Sequence, residues 1–302
     1  MKKIIIITLC LFSQLLLADT KKAKEDWAYL DNGHIKIGLD KSRGACIGFL
    51  GESKTGRNLL NHFDEGRFVQ QSYYGKSDGS DWNGKPWVYN PVQGGSWDKK
   101  PARLLKFERD PKKQLMYSKV EPRRWSSAKP CPEALMEQYI TLDGKLAKIN
   151  FIMNYTGPDQ GKARHQEMPA VFVDGALKNF YYTKEGKLIS EEPRVLAENK
   201  RKGKDGLRKG TSSSEWVAYV DDNKWGVGVY TPGTTNFTCY KARGNGSTGP
   251  KGSSCSYVSP IRTFALTTGL EVNYSVYLTV GTLDEIKERF EALKKSNTNK
   301  VR

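Results

Sequence analysis

The sequence predicts an all-β fold, built from antiparallel sheets and closed by a single C-terminal helix. Three observations carry this. Short runs that alternate apolar and polar residues recur along the chain and stop at Gly, Asn or Asp. The 302 residues include 29 glycines and are 11% aromatic, which suits many turns and exposed ring surfaces. Helical periodicity is convincing only near the end, in TLDEIKERFEALKK (282–295). There Thr282 and Glu285 stand at capping-box spacing, and Leu283, Ile286, Phe290 and Leu293 share one face.

Taken in order, the chain opens with MKKIIIITLCLFSQLLLADT. Lys2 and Lys3, the apolar run 4–12 and the small Ala18 predict an export signal over 1–18, and hence a periplasmic or secreted protein. That run is short and broken by Ser13 and Gln14, and no run of 18 apolar residues follows. No transmembrane segment is expected after cleavage. HIKIGLDKSRGACIGFLGES (34–53) predicts two strands and a turn, and EGRFVQQSYYGK (65–76) another strand ending at Gly75. The segment 77–101, SDGSDWNGKPWVYNPVQGGSWDKKP, is so rich in Gly, Pro and Asn that it predicts a long irregular loop. Its load of Trp82, Trp87, Tyr89 and Trp97 favours a functional loop over a passive one. LMEQYITLDGKLAKINFIMNYTG (135–157) predicts a hairpin about Asp143-Gly144. RHQEMPAVFVDG (164–175) is a strand with a polar start and an apolar finish. EWVAYVDDNKWGVGVYTP (215–232) predicts a hairpin, and IRTFALTTGLEVNYSVYLTVG (261–281) a strand pair before the helix. No linker divides the mature chain, so 19–302 is expected to form one domain.

These segments, in this order, resemble the galactose mutarotase-like superfamily, which includes aldose epimerases and the sandwich domains of polysaccharide lyases and glycoside hydrolases. NGHIKIGLDKSRGACIGFL is similar to the superfamily's opening strands. DEGRFVQQSYYG stands where such proteins place a cleft-facing arginine, and RHQEMPAVFVDG follows mid-chain. EWVAYVDDNKWGVGVYTP is similar to the late hairpin, and VNYSVYLTVGTLDEIKERFEAL to the closing strand and helix. The resemblance implies a large antiparallel β-supersandwich with a C-terminal helix and a cleft on a concave sheet face.

Two polar clusters and the aromatic loop supply the candidate chemistry. Residues two apart on a strand share a face, so His165 and Glu167 point one way and Arg164 and Gln166 the other. A glutamate can orient a histidine acting as acid or base; a salt-bridged pair at an exposed strand end is the plainer alternative. In GRFVQQSYYG, Arg67, Gln71 and Tyr73 share a face, with Gln70, Ser72 and Tyr74 on the other. Arg67 can hold a carboxylate or sulfate in a two-pronged grip. Tyr73 or Tyr74 can exchange a proton if cations lower its pKa, and Gln71 can bind sugar hydroxyls. Trp82, Trp87 and Trp97 can cover the apolar faces of sugars, with Asn83, Asn90 and Gln93 as hydrogen-bonding partners. At least one of these tryptophans is expected to plug the sandwich edge instead.

The net charge is +16, and loss of Lys2 and Lys3 lowers it by two, to +14. Such a surface favours anionic partners. For an exported chain an acidic or sulfated polysaccharide is the expected anion rather than nucleic acid, and a merely soluble basic surface is the plainer alternative. The densest basic run, NKRKGKDGLRKG (199–210), is expected to be a loop. There is no P-loop, Rossmann glycine fingerprint, HExxH or GxSxG motif, and the cysteine spacings fit no zinc motif, so no cofactor and no metal are expected. Of the four cysteines after Ala18, Cys239 and Cys255 flank a Gly/Ser-rich loop and are expected to form a disulfide; the pairing of Cys46 and Cys131 is left open. The expectation is a polysaccharide-cleaving enzyme with His165, Glu167 and Tyr73 catalytic, and Arg67, Gln71, Trp82, Trp87, Asn90 and Gln93 binding substrate. Lyase and hydrolase chemistry both remain open, with a non-catalytic glycan-binding protein or a structural surface protein as the alternatives.

Overall fold

The computed structural model describes residues 26–196 and 215–299. The export signal and the basic run 199–210 therefore lie outside the described residues. Chain order begins β1 (Trp27–Asp31), β2 (Ile35–Asp40), β3 (Cys46–Glu52), β4 (Val69–Ser72), β5 (Ser77–Trp82), β6 (Lys85–Val88) and β7 (Pro91–Val92). It continues with β8 (Arg103–Asp110), β9 (Leu115–Glu121), β10 (Arg123–Arg124), β11 (Ala134–Asp143), β12 (Leu146–Tyr155), β13 (Arg164–Asp174) and β14 (Asn179–Lys184). Last come β15 (Lys187–Glu191), β16 (Arg194–Leu196), β17 (Trp216–Val220), β18 (Trp225–Tyr230), β19 (Phe237–Ala242), β20 (Cys255–Phe264), β21 (Leu270–Thr282) and helix α1 (Leu283–Asn299).

Two large sheets hold most of these strands. The first runs β1-β2-β3-β4-β13-β20-β19-β16, with β7 and β10 branching from β4. The second runs β15-β14-β17-β18-β21-β12-β11-β9-β8. Every described strand pair is antiparallel except β16 with β19. The all-β, sandwich-like architecture with a C-terminal helix is thus as the alternation predicts. Along β12, Ala147, Ile149, Phe151 and Met153 point inward and are buried, at the period of two that a half-covered strand requires. They meet Ile37, Ile47 and Val69 of the first sheet in one apolar core. The hairpin at Asp143 closes on an Asp143–Leu146 pair, with Gly144 at φ +51° in the turn.

The predicted capping box is present. The Thr282 backbone N–H donates to Glu285 Oε2 at 2.9 Å, and the Glu285 N–H donates to Thr282 Oγ1 at 3.3 Å. Leu283, Ile286 and Phe290 are buried against Trp216, Ala218 and Tyr230 on the outer side of the second sheet. A Cβ at Gly228 would collide with the Ile286 and Phe290 side chains, so glycine there lets the helix lie close to the sheet.

Two expectations fail. The segment 77–101 is not irregular throughout, because β5 and β6 form a separate two-stranded sheet. Trp82 pairs with Lys85 across Asn83 (φ +54°) and Gly84 (φ +71°), the left-handed pair of a two-residue hairpin turn. The second correction is the disulfide: no bridge joins Cys239 and Cys255. Cys255 pairs in register with Ala242, three residues along β19 from Cys239. Three residues of strand span about 10 Å and reverse the side-chain direction, beyond the reach of a disulfide. Cys46, Cys131 and Cys255 are buried, and burial pushes the Cys255 thiol up to about 11, which keeps it protonated.

Candidate functional site

The outer face of the first sheet carries a groove made of two adjoining hollows of about 280 and 530 Å3. Tyr74, Trp87, Glu167, Tyr240 and Tyr257 line both. The floor is a cross-strand aromatic ladder. Phe172 of β13 pairs in register with Tyr257 of β20, which pairs with Tyr240 of β19. Ring centroids lie 4.7 Å apart in the first pair and 4.4 Å in the second. Directly opposed residues on one sheet face meet in this way, and the contacts hold the rings in place.

Glu167 sits beside this ladder. It pairs in register with Ser72 of β4, just before the register of β13 shifts in a bulge. Bulges re-aim side chains. Tyr257 donates its hydroxyl hydrogen to Glu167 Oε1. Burial pushes the Glu167 carboxyl above its ordinary range, and the bonds from Tyr257, Ser72 and Tyr74 offset this only in part. Burial and the Glu167 charge hold the hydroxyls of Tyr74 and Tyr257 well above the usual tyrosine range. These two therefore remain proton donors, while Glu167 is the group whose charge can change.

Tryptophan forms one wall. The rings of Trp82 and Trp87 meet edge-on at 4.8 Å, and Trp82 meets Trp125 at 5.7 Å. All three line the smaller hollow. Buried Asn90 ties the wall to the sheet: its Nδ2 donates to Ser72 Oγ and the Tyr73 carbonyl, and its Oδ1 accepts from Trp87 Nε1 at 3.3 Å. The larger hollow is rimmed by Lys162, Arg164 and His165. Among the described residues Arg164 Nε is buried without a hydrogen-bond partner, and His165 Nδ1 lies 2.9 Å from Thr263 Oγ1.

The groove thus brings His165, Glu167, Arg67, Trp82, Trp87 and Asn90 to its lining. It does not bring Tyr73, Gln71 or Gln93 there. Tyr73 is fully buried in the core, donating to Gln71 Oε1 at 2.8 Å, and Gln71 Nε2 donates to the Glu137 carbonyl. Burial drives the Tyr73 hydroxyl far above the range in which it could lose a proton. Gln93 is buried and bonds Gly44 and Gln71 backbone groups. The physical reason is the backbone at Phe68. Its φ of +132° breaks the alternation before β4, so Arg67 and Tyr73 do not share a face. The other face, with Ser72 and Tyr74, meets the groove.

Arg67 is more anchor than open grip. Its Nη1 donates to Asn61 Oδ1 and the Ser253 carbonyl, and its Nε lies 3.5 Å from Asp64 Oδ2. Asp64 Oδ1 accepts from the Gly66 and Arg67 backbone N–H groups, so this second carboxylate of the groove is held in its loop. His62 lies away from the groove lining, wedged against Trp27 and Phe68 and bonded by Arg43; burial and that cation lower it to about 4. Trp125, Tyr240, Tyr257, Lys162 and Arg164 were not legible as site residues, because strand pairing and loop packing bring them in. Among the described residues no cluster of His, Cys, Asp and Glu gathers where a metal ion would sit.

No protein-family model matches the chain, and no curated protein sequence does either. Solved structures do. A galactose mutarotase-like protein from Lactobacillus casei ATCC 334 is 10% identical, with a TM-score of 0.51 over 84% of this chain and 99% of that one. A galactose mutarotase related enzyme from Lactobacillus acidophilus is 13% identical, with a TM-score of 0.49 over 84% and 97% of the two chains. A polysaccharide lyase is 10% identical, with a TM-score of 0.46 over 86% of this chain and 35% of that one. The chain thus shares its β-sandwich fold with the galactose mutarotase-like protein from Lactobacillus casei.

Proposed function

We propose that the groove binds a glycan chain and cleaves it, with Glu167 taking a proton and Tyr257 or Tyr74 giving one. The observation that carries this is the carboxylate of Glu167, raised in pKa and hydrogen-bonded by a tyrosine, in an aromatic-walled groove. A base works best when its pKa is brought toward the working pH, and its partner acid must keep its proton. The fold shared with a galactose mutarotase-like protein is consistent with a sugar in this groove.

Elimination suits these residues better than hydrolysis. Hydrolysis asks for two carboxyl groups across the scissile bond, and Asp64 is committed to its own loop. In elimination, Glu167 would remove the proton beside a uronate carboxylate. A carbon–carbon double bond forms, the bond to the glycosidic oxygen breaks, and a tyrosine protonates that oxygen. The proton on Glu167 then returns to the phenolate along their hydrogen bond. Lys162, Arg164 and His165 rim the hollow that holds Glu167, where they can neutralise the uronate or bind a sulfate. This favours an acidic glycan, and it moves the anion contact from Arg67 to the 162–165 segment.

Export to the periplasm or beyond belongs to this reading, since polymeric glycans are met outside the cytoplasm. Purified mature protein should be incubated with uronate-rich, sulfated and neutral polysaccharides. Product that absorbs in the ultraviolet supports elimination. New reducing ends without it would replace elimination by hydrolysis, and binding without either product would leave a glycan-binding protein. No binding to any of them overturns the proposal.

A further inference from the structure

Five large apolar side chains are markedly exposed among the described residues: Phe63, Trp97, Leu105, Tyr139 and Leu188. The last three lie on strands of the second sheet. Phe63 (49% exposed) and Trp97 (46%) instead sit on loops at the tryptophan end of the groove. Phe63 precedes Asp64, and its ring lies 4.9 Å from the Arg67 guanidinium; both residues line the groove. The Trp97 backbone N–H donates to the carbonyl of Trp125, a groove-wall residue, at 3.1 Å.

These loops are packed on one another. A Cβ at Gly94 would collide with the Glu65 carbonyl, and one at Gly66 would collide with the Trp125 ring. Glycine at both positions brings the 63–67 loop, the 94–97 loop and Trp125 together. The exposed indole is also tethered: Trp97 Nε1 donates to the Ser126 carbonyl at 2.8 Å. A ring that is solvent-exposed yet held in place loses little freedom when a flat ligand settles on it.

We infer that Phe63 and Trp97 form an outer platform on which a glycan continues past the tryptophan wall, so that the protein prefers a polymer to a mono- or disaccharide. This rests on the glycan reading of the groove and adds chain length to it. Sugar rings present C–H faces that stack on aromatic rings, and the loops that carry Phe63 and Trp97 pack against Trp125 of the groove wall.

The test is calorimetric binding of di-, tetra- and octasaccharides prepared from polygalacturonate, a sulfated galactan and a neutral glucan. Wild type should bind the octasaccharide of its preferred chemistry more tightly than the disaccharide. Phe63→Ala and Trp97→Ala should each reduce that gain roughly 3- to 10-fold, the worth of one aromatic contact. Should Trp97→Ala lower the melting temperature, Phe63→Ala decides the matter, since its ring is half in solvent. Equal binding of short and long oligomers, or variants that keep the whole gain, overturns the platform and leaves the groove intact. Failure of wild type to bind any oligomer overturns both.

Discussion

At the residue scale, two adjacent tyrosines divide structure from chemistry. Tyr73 is locked in the core on Gln71, whereas Tyr74 lines the groove and bonds Glu167. Tyr73→Phe should cost about 1–3 kcal/mol of stability by leaving buried Gln71 Oε1 unpaired, with turnover unchanged. Tyr74→Phe should lower turnover at little cost in melting temperature. Turnover lost in the first variant and kept in the second would reverse the assignment. Glu167 gives a sharper pH signature. Its folded pKa lies above the ordinary 4.5, so the native state favours the protonated form and ionisation costs stability. That cost is absent below 4.5, grows as pH passes through the raised value and is complete above it. Glu167→Gln should therefore raise the melting temperature at neutral pH and leave it unchanged near pH 4. The same variant should lose about 10²- to 10⁴-fold in turnover, and in wild type the acid limb of the rate profile should have its midpoint above 4.5. A variant less stable at neutral pH than wild type would contradict the burial argument.

At the scale of elements, the groove depends on the β5–β6 hairpin, which adds no strand to either large sheet and yet supplies two tryptophans of the wall. Its turn requires left-handed backbone at Asn83 and Gly84. Gly84→Val puts a β-branched residue at φ +71°, which strains the turn. Glycan binding should weaken, and global stability should fall by no more than about 1–2 kcal/mol, the cost of left-handed backbone to a residue with a Cβ, since that Cβ meets open space. A large loss of global stability would mean that the hairpin supports the core as well. The Asn-Gly pair was readable as a hairpin signal. It was hidden by the surrounding Gly, Pro and Asp, which suggest a loop on composition alone.

For the whole molecule, cohesion comes from the core between the sheets and from the helix packed outside the second one. No disulfide is needed, and none is present among the described residues. Thermal unfolding should give the same midpoint with and without reductant. A drop of several degrees on reduction would restore a bridge. Gly228→Ala should lower the midpoint, because the added methyl meets Ile286 and Phe290 beneath the helix. Exported mature protein should begin near Asp19, which N-terminal sequencing of material recovered outside the cytoplasm would check.

The sequence by itself determined the strands within 34–53, 65–76, 135–157, 164–175, 215–232 and 261–281, the Asp143-Gly144 hairpin and the capped helix, because period-two alternation, left-handed turn residues and capping spacing act within a few residues of each other. In β1, β5–β10, β14–β16 and β19 no such local signal was strong enough to assign a strand. It also marked His165 and Glu167 as neighbours on one strand face. Only the tertiary structure decided which face of β4 meets solvent, because a single left-handed residue, Phe68, resets the alternation. It likewise decided that Tyr240 and Tyr257 lie on one floor, and that Trp125 joins Trp82 and Trp87 in one wall. Those contacts join residues far apart in the chain through strand register and loop packing, which local pattern does not encode.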